Sequence, residues 1–493
     1  MNKISDRHLF LAIVIAAISI ITVIGAIFIN VIPINGGKGW DGNVYFLLCE
    51  IWSNGESRGG PIPYQLTKMG SFLHVLTVLY LTHNAELAFK VAQVIAPILT
   101  GLAAILVALT VVRLNLINGI SSAIGSAVIL ISAFATHSWL TMSHFYPLLT
   151  DHMALFLSAC SFYIWSGGNE RGRLPLGAFL LLFISLFSCF IMPALCLVPM
   201  TLIIFPRDTP NSLSDKSKVI TYFAVIFSFV IVAFLWRSAM QMPVAILNAG
   251  LSSVEPPKET LKLYSSIVTY TLVFAILSAF LNFGLRSISQ IKISSVLLCL
   301  IGPVLGILTI FYFGNFIRGF GGPPLYENLI IQSLRSPGAS IAAVFAAFGP
   351  VALIAVFSII SVQFYKKVEI PNQILLISSF FMIFLVWGNE SRQFICILPP
   401  ITLLVIFVFR TKIVASFVTM VFSLFTLLIG HPISDSILLG ISRSAAFSDQ
   451  TWQSYFGRQG PWMSDDSIAL YLGLATFYSI FIMAIFLQPH EKE

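Results

Sequence analysis

Long apolar stretches alternate with short polar turns along almost the whole chain. A transmembrane helix needs roughly 20 consecutive apolar residues to cross the bilayer core. The pattern therefore predicts helices near 8–33, 88–112, 119–136, 148–167, 219–236, 263–284, 293–314, 340–364, 372–388, 394–409, 412–430 and 467–487. A further apolar stretch, 175–205, is interrupted by Pro193 and Pro199 and has basic flanks, so it predicts a hairpin of two short helices.

These elements predict an all-α polytopic membrane protein with about 13 transmembrane segments. Composition agrees, because hydrophobic residues make up 57% of the chain and charged residues only 10%, whereas a soluble domain carries about 25% charge. No internal repeat and no separable soluble domain is visible. We therefore expect residues 1–493 to form a single helical transmembrane domain with short helices in its external loops.

The basic residues predict the orientation of this domain. Lys3 and Arg7 precede the first helix, which is too long for a cleaved signal peptide and should remain as an anchor. Positive charge favours the cytoplasm, so the N-terminus and the short basic turns should lie inside. The loops 34–87, 137–147, 238–262, 315–339, 388–393 and 431–466 should then lie outside. Residues 66–82 are interpreted as an interfacial helix. Low charge and abundant Phe and Ile favour a bacterial inner membrane.

Several classes of function are disfavoured. The net charge of +7 reflects the basic cytoplasmic turns, and no Lys/Arg run of the kind that binds nucleic acid occurs. The six cysteines include no Cys-x-x-Cys spacing, so neither a disulfide framework nor a metal site is expected from them. His137, His144 and His152 are spaced by 7 and 8 residues, which fits no compact zinc motif. We expect no metal and no cofactor.

The segment Gly39-Trp40-Asp41-Gly42-Asn43 directly follows the first apolar helix. A helix over 42–53 would carry Tyr45, Leu48 and Trp52 on one face. Such a face suits the headgroup boundary. Asp41 would then lie near the N-terminus of this helix. It has two interpretations: an N-cap carboxylate, or a reactive carboxylate held at the membrane surface.

Three motifs of this chain resemble those of the GT-C superfamily of integral membrane glycosyltransferases. The first, Asp41-Gly42-Asn43-Val44-Tyr45, is similar to the Asp-Gly-Gln-x-Tyr motif in the first external loop of bacterial members. Pro61-Ile62-Pro63-Tyr64-Gln65-Leu66 resembles the stretch that follows it, although the family's Arg is absent and Lys68 is the nearest cation. Thr150-Asp151-His152-Met153-Ala154 is the second motif. The third is Glu390-Ser391-Arg392 followed by Pro399-Pro400.

The resemblance implies an inverting transfer at the outer face of the membrane. A polyprenyl-phosphate sugar would be the donor, an envelope glycan or lipid the acceptor, and an external carboxylate the general base. Asp41 is the first candidate for the base and Asp151 the second. Because the leaving group is a lipid phosphate, it needs cations. Residues expected to bind substrate are Tyr45, Lys68, His152, Arg318, Arg335, Glu390 and Arg392.

Two other functions stay open at this stage. A transporter or flippase of lipid-linked oligosaccharide predicts ionisable residues and broken helices near the membrane midplane. Apart from the Pro193/Pro199 hairpin and Gly349-Pro350, however, the apolar stretches are almost free of charge. An O-antigen polymerase or ligase also joins glycans at the outer face, but is expected to use a large external loop with several arginines. The loops 315–339 and 431–466 carry two arginines each.

Overall fold

The computed structural model describes most of the predicted helices and leaves gaps between them. The described residues are 5–29, 31, 35–39, 41–55, 64–134, 140–167, 174–205, 216–241, 259–288, 291, 295–297, 300–301, 304, 330, 333–334, 336–362, 370–388, 391–430 and 465–487. All regular elements within these residues are helices.

The α-helices in chain order are α1 Asp6–Phe28, α2 Asp41–Ser53, α3 Leu73–Thr82, α4 Ala85–Arg113, α5 Ile120–Phe134, α6 Leu140–Phe145, α7 Asp151–Ser166, α8 Leu174–Ser188, α9 Leu197–Ile204, α10 Lys216–Gln241, α11 Glu259–Ser287, α12 Ala339–Phe348, α13 Pro350–Val362, α14 Asn372–Gly388, α15 Leu398–Phe409, α16 Ile413–Gly430 and α17 Asp465–Leu487. In the described part of the chain, three 3-10 helices accompany them: Tyr64–Phe72, Pro193–Cys196 and Ser391–Ile397. The all-α prediction is confirmed for the described part of the chain. The predicted helix over 293–314 lies largely outside it.

Four of the described helices are long and apolar enough to cross a membrane: Asp6–Phe28, Ala85–Arg113, Val219–Gln241 and Leu261–Ser287. Seven more apolar helices have 10–17 residues and coincide with predicted spans. α1 and α10 also carry many exposed Ile, Val and Phe side chains, as helices that face lipid do. The fold is therefore compatible with a membrane protein, and the count of about 13 spans stays a prediction.

The prediction of one helix over 340–364 is wrong. α12 and α13 meet at Gly349 and are bent by 118°. Gly349 has φ +65°, a value incompatible with a right-handed helix. Pro350 lacks an amide hydrogen and suits the first position of a new helix. Gly349 thus ends one helix and Pro350 begins the next.

The stretch 175–205 forms two short helices, as predicted, with the break at 189–192, directly before Pro193. Pro199 does not interrupt the second helix, since it lies inside α9. α8 and α9 pack against each other. No cysteine pairing was expected from the spacing of the cysteines, yet the Cys189 and Cys196 sulfur atoms lie 3.3 Å apart across the break. Both are free thiols.

Within the described residues, buried apolar side chains form one large core and one smaller core. The small one, which we call the first-loop core, joins α2, the 3-10 helix Tyr64–Phe72, α3 and the start of α4. Its members are Tyr45, Phe46, Cys49, Met69, Phe72, Val75, Leu79, Ala88, Ala92 and Leu148. Because Leu148 belongs to it, this core ties the first predicted external loop to the segment that enters α7.

Candidate functional site

The turn before Asp41 is built from residues that tolerate positive φ. Asn35, Gly36, Gly37 and Gly39 have φ of 50°, 65°, 91° and 70°, which glycine adopts without steric cost. The Asn35 side chain closes the turn by donating from Nδ2 to the Gly39 carbonyl oxygen (2.8 Å). Asp41 is then the first residue of α2, where the positive end of the helix dipole favours a carboxylate.

The helix predicted over 42–53 is confirmed as α2, but the face that carries Tyr45 is covered. Tyr45 is 2% exposed and its ring stacks on Phe72, with centroids 4.6 Å apart. Cys49 is fully buried as well. Trp52 lies seven residues beyond Tyr45, on the same side of the helix, and is 47% exposed. The prediction that Tyr45 lies at the headgroup boundary is therefore wrong, because Tyr45 packs inside the first-loop core.

Asp151 and His152 open α7, and each is only 2% exposed. His152 donates from Nε2 to the Tyr146 carbonyl oxygen (3.2 Å), which fixes a hydrogen on that nitrogen because a carbonyl can only accept. Its Nδ1 lies 3.4 Å from the Thr100 hydroxyl of α4. α4 can approach α7 this closely because its buried face consists largely of Ala, Gly and Thr.

The segments of Asp41 and Asp151 meet through Tyr146 and Leu148. The Gly42 amide donates to the Tyr146 hydroxyl (3.1 Å) across 104 residues of sequence. A methyl group on Gly42 would lie 2.8 Å from the Leu148 carbonyl oxygen, so only glycine fits there. Leu148 precedes Asp151 by three residues, at most about 11 Å of extended chain. Two of the predicted acidic residues are thus carried by segments in direct contact.

The candidate cation Lys68 is half-buried and lies on the 3-10 helix Tyr64–Phe72. This helix packs against α2. The same helix is anchored to the break after α8, since the Gly70 amide donates to the Phe190 carbonyl oxygen (2.9 Å). A second cation, Lys38, precedes Asp41, and its ammonium lies 4.0 Å from the centre of the Phe46 ring. Lys38 is a candidate cation that none of the predicted motifs includes.

Arg392 is the second residue of the 3-10 helix Ser391–Ile397, and this helix packs against α7. The Ser158 hydroxyl of α7 donates to the Cys396 carbonyl oxygen (2.7 Å). Ser158 lies seven residues, about two helical turns, beyond Asp151. The 3-10 helix that carries Arg392 of the third motif is therefore in contact with α7, the helix that begins with the second motif. Arg318, Arg335, Glu390 and His137 lie outside the described residues.

No group of three or more His, Cys, Asp or Glu side chains suited to a metal ion occurs in the described part of the chain. His144 packs against α1, where a methyl group on Gly25 would contact its ring. Burial lowers the pKa of His144. His152 is bonded to α4 and Tyr146 instead.

A polar cavity of about 270 Å³ lies at the other end of α2, beside the turn between α3 and α4. Its lining includes Glu50, Asn54 and His83 over an apolar floor. Glu50 follows Asp41 by nine residues, roughly 13 Å along the helix, so the cavity is separate from the place where α2 meets Tyr146.

Tyr146 is a further residue of the site that no motif indicates. No local pattern marks its contact with Gly42, because the two residues are 104 positions apart in the sequence. No protein-family model, curated protein or solved structure matches this chain.

Proposed function

We propose that this chain is a membrane glycosyltransferase that moves a sugar from a polyprenyl-phosphate donor to an envelope glycan or lipid. The observation that carries the proposal is the contact between the segments of Asp41 and Asp151, through the Gly42–Tyr146 hydrogen bond and the Leu148 packing. A transfer of this kind needs a base and a group that orients the acceptor. Two acidic residues on adjoining segments supply both.

In the proposed reaction an acceptor hydroxyl attacks the anomeric carbon of the donor. Asp41 takes the hydroxyl proton as the new glycosidic bond forms. The bond from the anomeric carbon to the phosphate oxygen breaks, and polyprenyl phosphate leaves. The anomeric carbon of the transferred sugar ends with inverted configuration. Positioned proton transfer of this kind accelerates a reaction by roughly 10²–10⁴.

The remaining residues take supporting roles in this proposal. Asp151 and His152 orient the acceptor from the start of α7. Lys68 and Arg392, with Arg318, Arg335 and Glu390 as further candidates, bind the donor phosphate or the sugar. A multi-pass location in a bacterial inner membrane and a site at the outer face are part of the proposal. The exposed apolar faces of α1 and α10 are consistent with contact with lipid.

The direct test is sugar transfer by purified protein in lipid nanodiscs, using labelled polyprenyl-phosphate sugars and an envelope glycolipid extract. We expect wild type to transfer label and Asp41→Asn to lose about 10²–10⁴ of the rate. Glu86→Gln is the matched control, because Glu86 is an exposed carboxylate paired with Lys90 at 2.6 Å and lies outside the proposed site. Full transfer by Asp41→Asn would remove Asp41 as the base. No transfer by wild type with any donor would refute the proposed function.

One observation favours a second candidate, a transporter of lipid-linked oligosaccharide. The 118° bend between α12 and α13 is the kind of broken helix that transporters use at the substrate site. Against it, residues 339–361 contain no ionisable side chain, although intramembrane transport sites depend on such groups. Movement of a fluorescent lipid-linked glycan across sealed proteoliposomes, without any sugar transfer, would favour this second function.

A further inference from the structure

Tyr146 contacts both acidic segments from one buried position. Its side chain is 1% exposed, and its hydroxyl accepts from the Gly42 amide (3.1 Å). Its carbonyl oxygen accepts from His152 (3.2 Å). The ring also fills the space beside Gly39, where a methyl group would lie 2.6 Å from the hydroxyl oxygen and closer still to the ring carbons. The side chain and the backbone of one residue are therefore bonded to the two different motifs.

We propose that Tyr146 is a positioning residue that fixes the Asp41–Gly42 backbone relative to Asp151 and His152. The proposal rests on the proposed function, since it assigns Tyr146 a role in the transfer reaction. Tyr146 itself touches neither donor nor acceptor in this account. It acts through the segments it holds.

The hydroxyl is the part of Tyr146 that matters most for Asp41. The amides in the first turn of a helix have no carbonyl partner within that helix, and Gly42 is buried. The Tyr146 hydroxyl supplies the missing acceptor. Without it the first turn of α2 would open to find water, and Asp41 would lose its fixed position. A displacement of about 1 Å in a reacting group is enough to lower a rate by roughly 10²-fold.

The backbone of Tyr146 matters for His152 in the same way. The hydrogen bond to the Tyr146 carbonyl and the neighbouring Thr100 hydroxyl, 3.4 Å from Nδ1, together set the plane of the imidazole. A change at the Tyr146 hydroxyl leaves this carbonyl in place. Substitution by phenylalanine therefore separates the effect on α2 from the effect on α7.

The test compares Tyr146→Phe with Tyr478→Phe in full-length protein in nanodiscs. Tyr478 is the matched control: it is also 1% exposed, its hydroxyl is bonded to that of Thr419 at 2.9 Å, and it lies on α17. Two quantities are measured for each variant. The first is hydrogen exchange at the start of α2, which needs no enzymatic activity. The second is kcat and KM for sugar transfer.

For Tyr146→Phe we expect exchange at residues 42–45 to rise at least tenfold. We also expect kcat to fall by about 10- to 100-fold with the donor KM unchanged, the pattern of an interaction needed only in the transition state. Tyr478→Phe should change neither. Unchanged hydrogen exchange at α2 in Tyr146→Phe would overturn the proposal. Raised exchange with an unchanged kcat in the same variant would also overturn it. So would a loss of kcat in Tyr478→Phe equal to that in Tyr146→Phe. Absence of transfer by wild type would instead refute the proposed function, while the exchange measurement would still show whether Tyr146 holds α2.

Discussion

Two glycines of the turn before α2 provide a matched pair for testing how tightly this turn packs. Gly39 and Gly36 have similar positive φ, +70° and +65°. A methyl group on Gly39 would overlap the buried Tyr146 ring, whereas one on Gly36 would meet nothing within 4 Å. Alanine at either position costs about 1–2 kcal/mol, because a left-handed conformation places Cβ too close to the backbone carbonyl.

Only Gly39→Ala adds the cost of overpacking, which is about 1–3 kcal/mol in a well-packed region. The free energy of unfolding should therefore fall by about 2–5 kcal/mol in Gly39→Ala and by about 1–2 kcal/mol in Gly36→Ala. Thermal unfolding in detergent, monitored by tryptophan fluorescence, gives the melting temperatures of the two variants, and that of Gly39→Ala should be the lower. Equal melting temperatures would refute the packing of Tyr146 against Gly39 and, with it, the geometry of the site.

Two further predictions concern titration and thiol chemistry. Burial lowers the pKa of His74 to about 4, so between pH 6.5 and 4 the unfolded chain binds a proton that the folded chain does not. The free energy of unfolding of the wild type should fall by up to about 3 kcal/mol as the pH drops through that window. The melting temperature of His74→Gln should fall less over the same pH range. The same pH dependence of melting temperature in both proteins would contradict the prediction. The sulfur atoms of Cys189 and Cys196 lie 3.3 Å apart, so these two residues should form a disulfide when the protein is treated with the thiol oxidant diamide. Mass spectrometry after maleimide labelling would show two thiols lost, and full labelling of both would contradict the prediction.

The apolar pattern predicts most of the helices because each one must present apolar side chains over its whole length. α1, α4 and α17 begin and end within a few residues of the predicted bounds or extend slightly beyond them. The break before Pro193 was also predictable, because Pro193 lacks the amide hydrogen that a continuing helix would use. Proline alone does not decide the matter, since α4 continues through Pro97 and α9 through Pro199. Gly349-Pro350 marked a possible interruption, but not the size of the bend, since Gly-Pro between two apolar stretches is compatible with either a kink or a new helix.

The site was predictable only in part, for a different physical reason. Asp41 and Asp151 stand out as acidic residues beside apolar stretches. Their contact depends on the Gly42–Tyr146 bond, which joins residues 104 positions apart, and no local pattern encodes such a distance. The inward face of α2 was assigned wrongly at Tyr45 for the same reason, because the first-loop core, rather than the membrane boundary, covers that face.

The proposed donor site lies where α2 meets the segment entering α7, together with the 3-10 helices that carry Lys68 and Arg392 and pack against α2 and α7. Photo-crosslinking tests this site most directly. A polyprenyl-phosphate sugar with a diazirine on its first isoprene unit would be bound to the protein in nanodiscs, irradiated, and mapped by peptide mass spectrometry. We expect label in peptides covering 39–53, 64–72, 146–158 and 391–397, and we expect excess unlabelled donor to remove it. Label confined to the bend at Gly349 or to α10 and α11 would contradict the account.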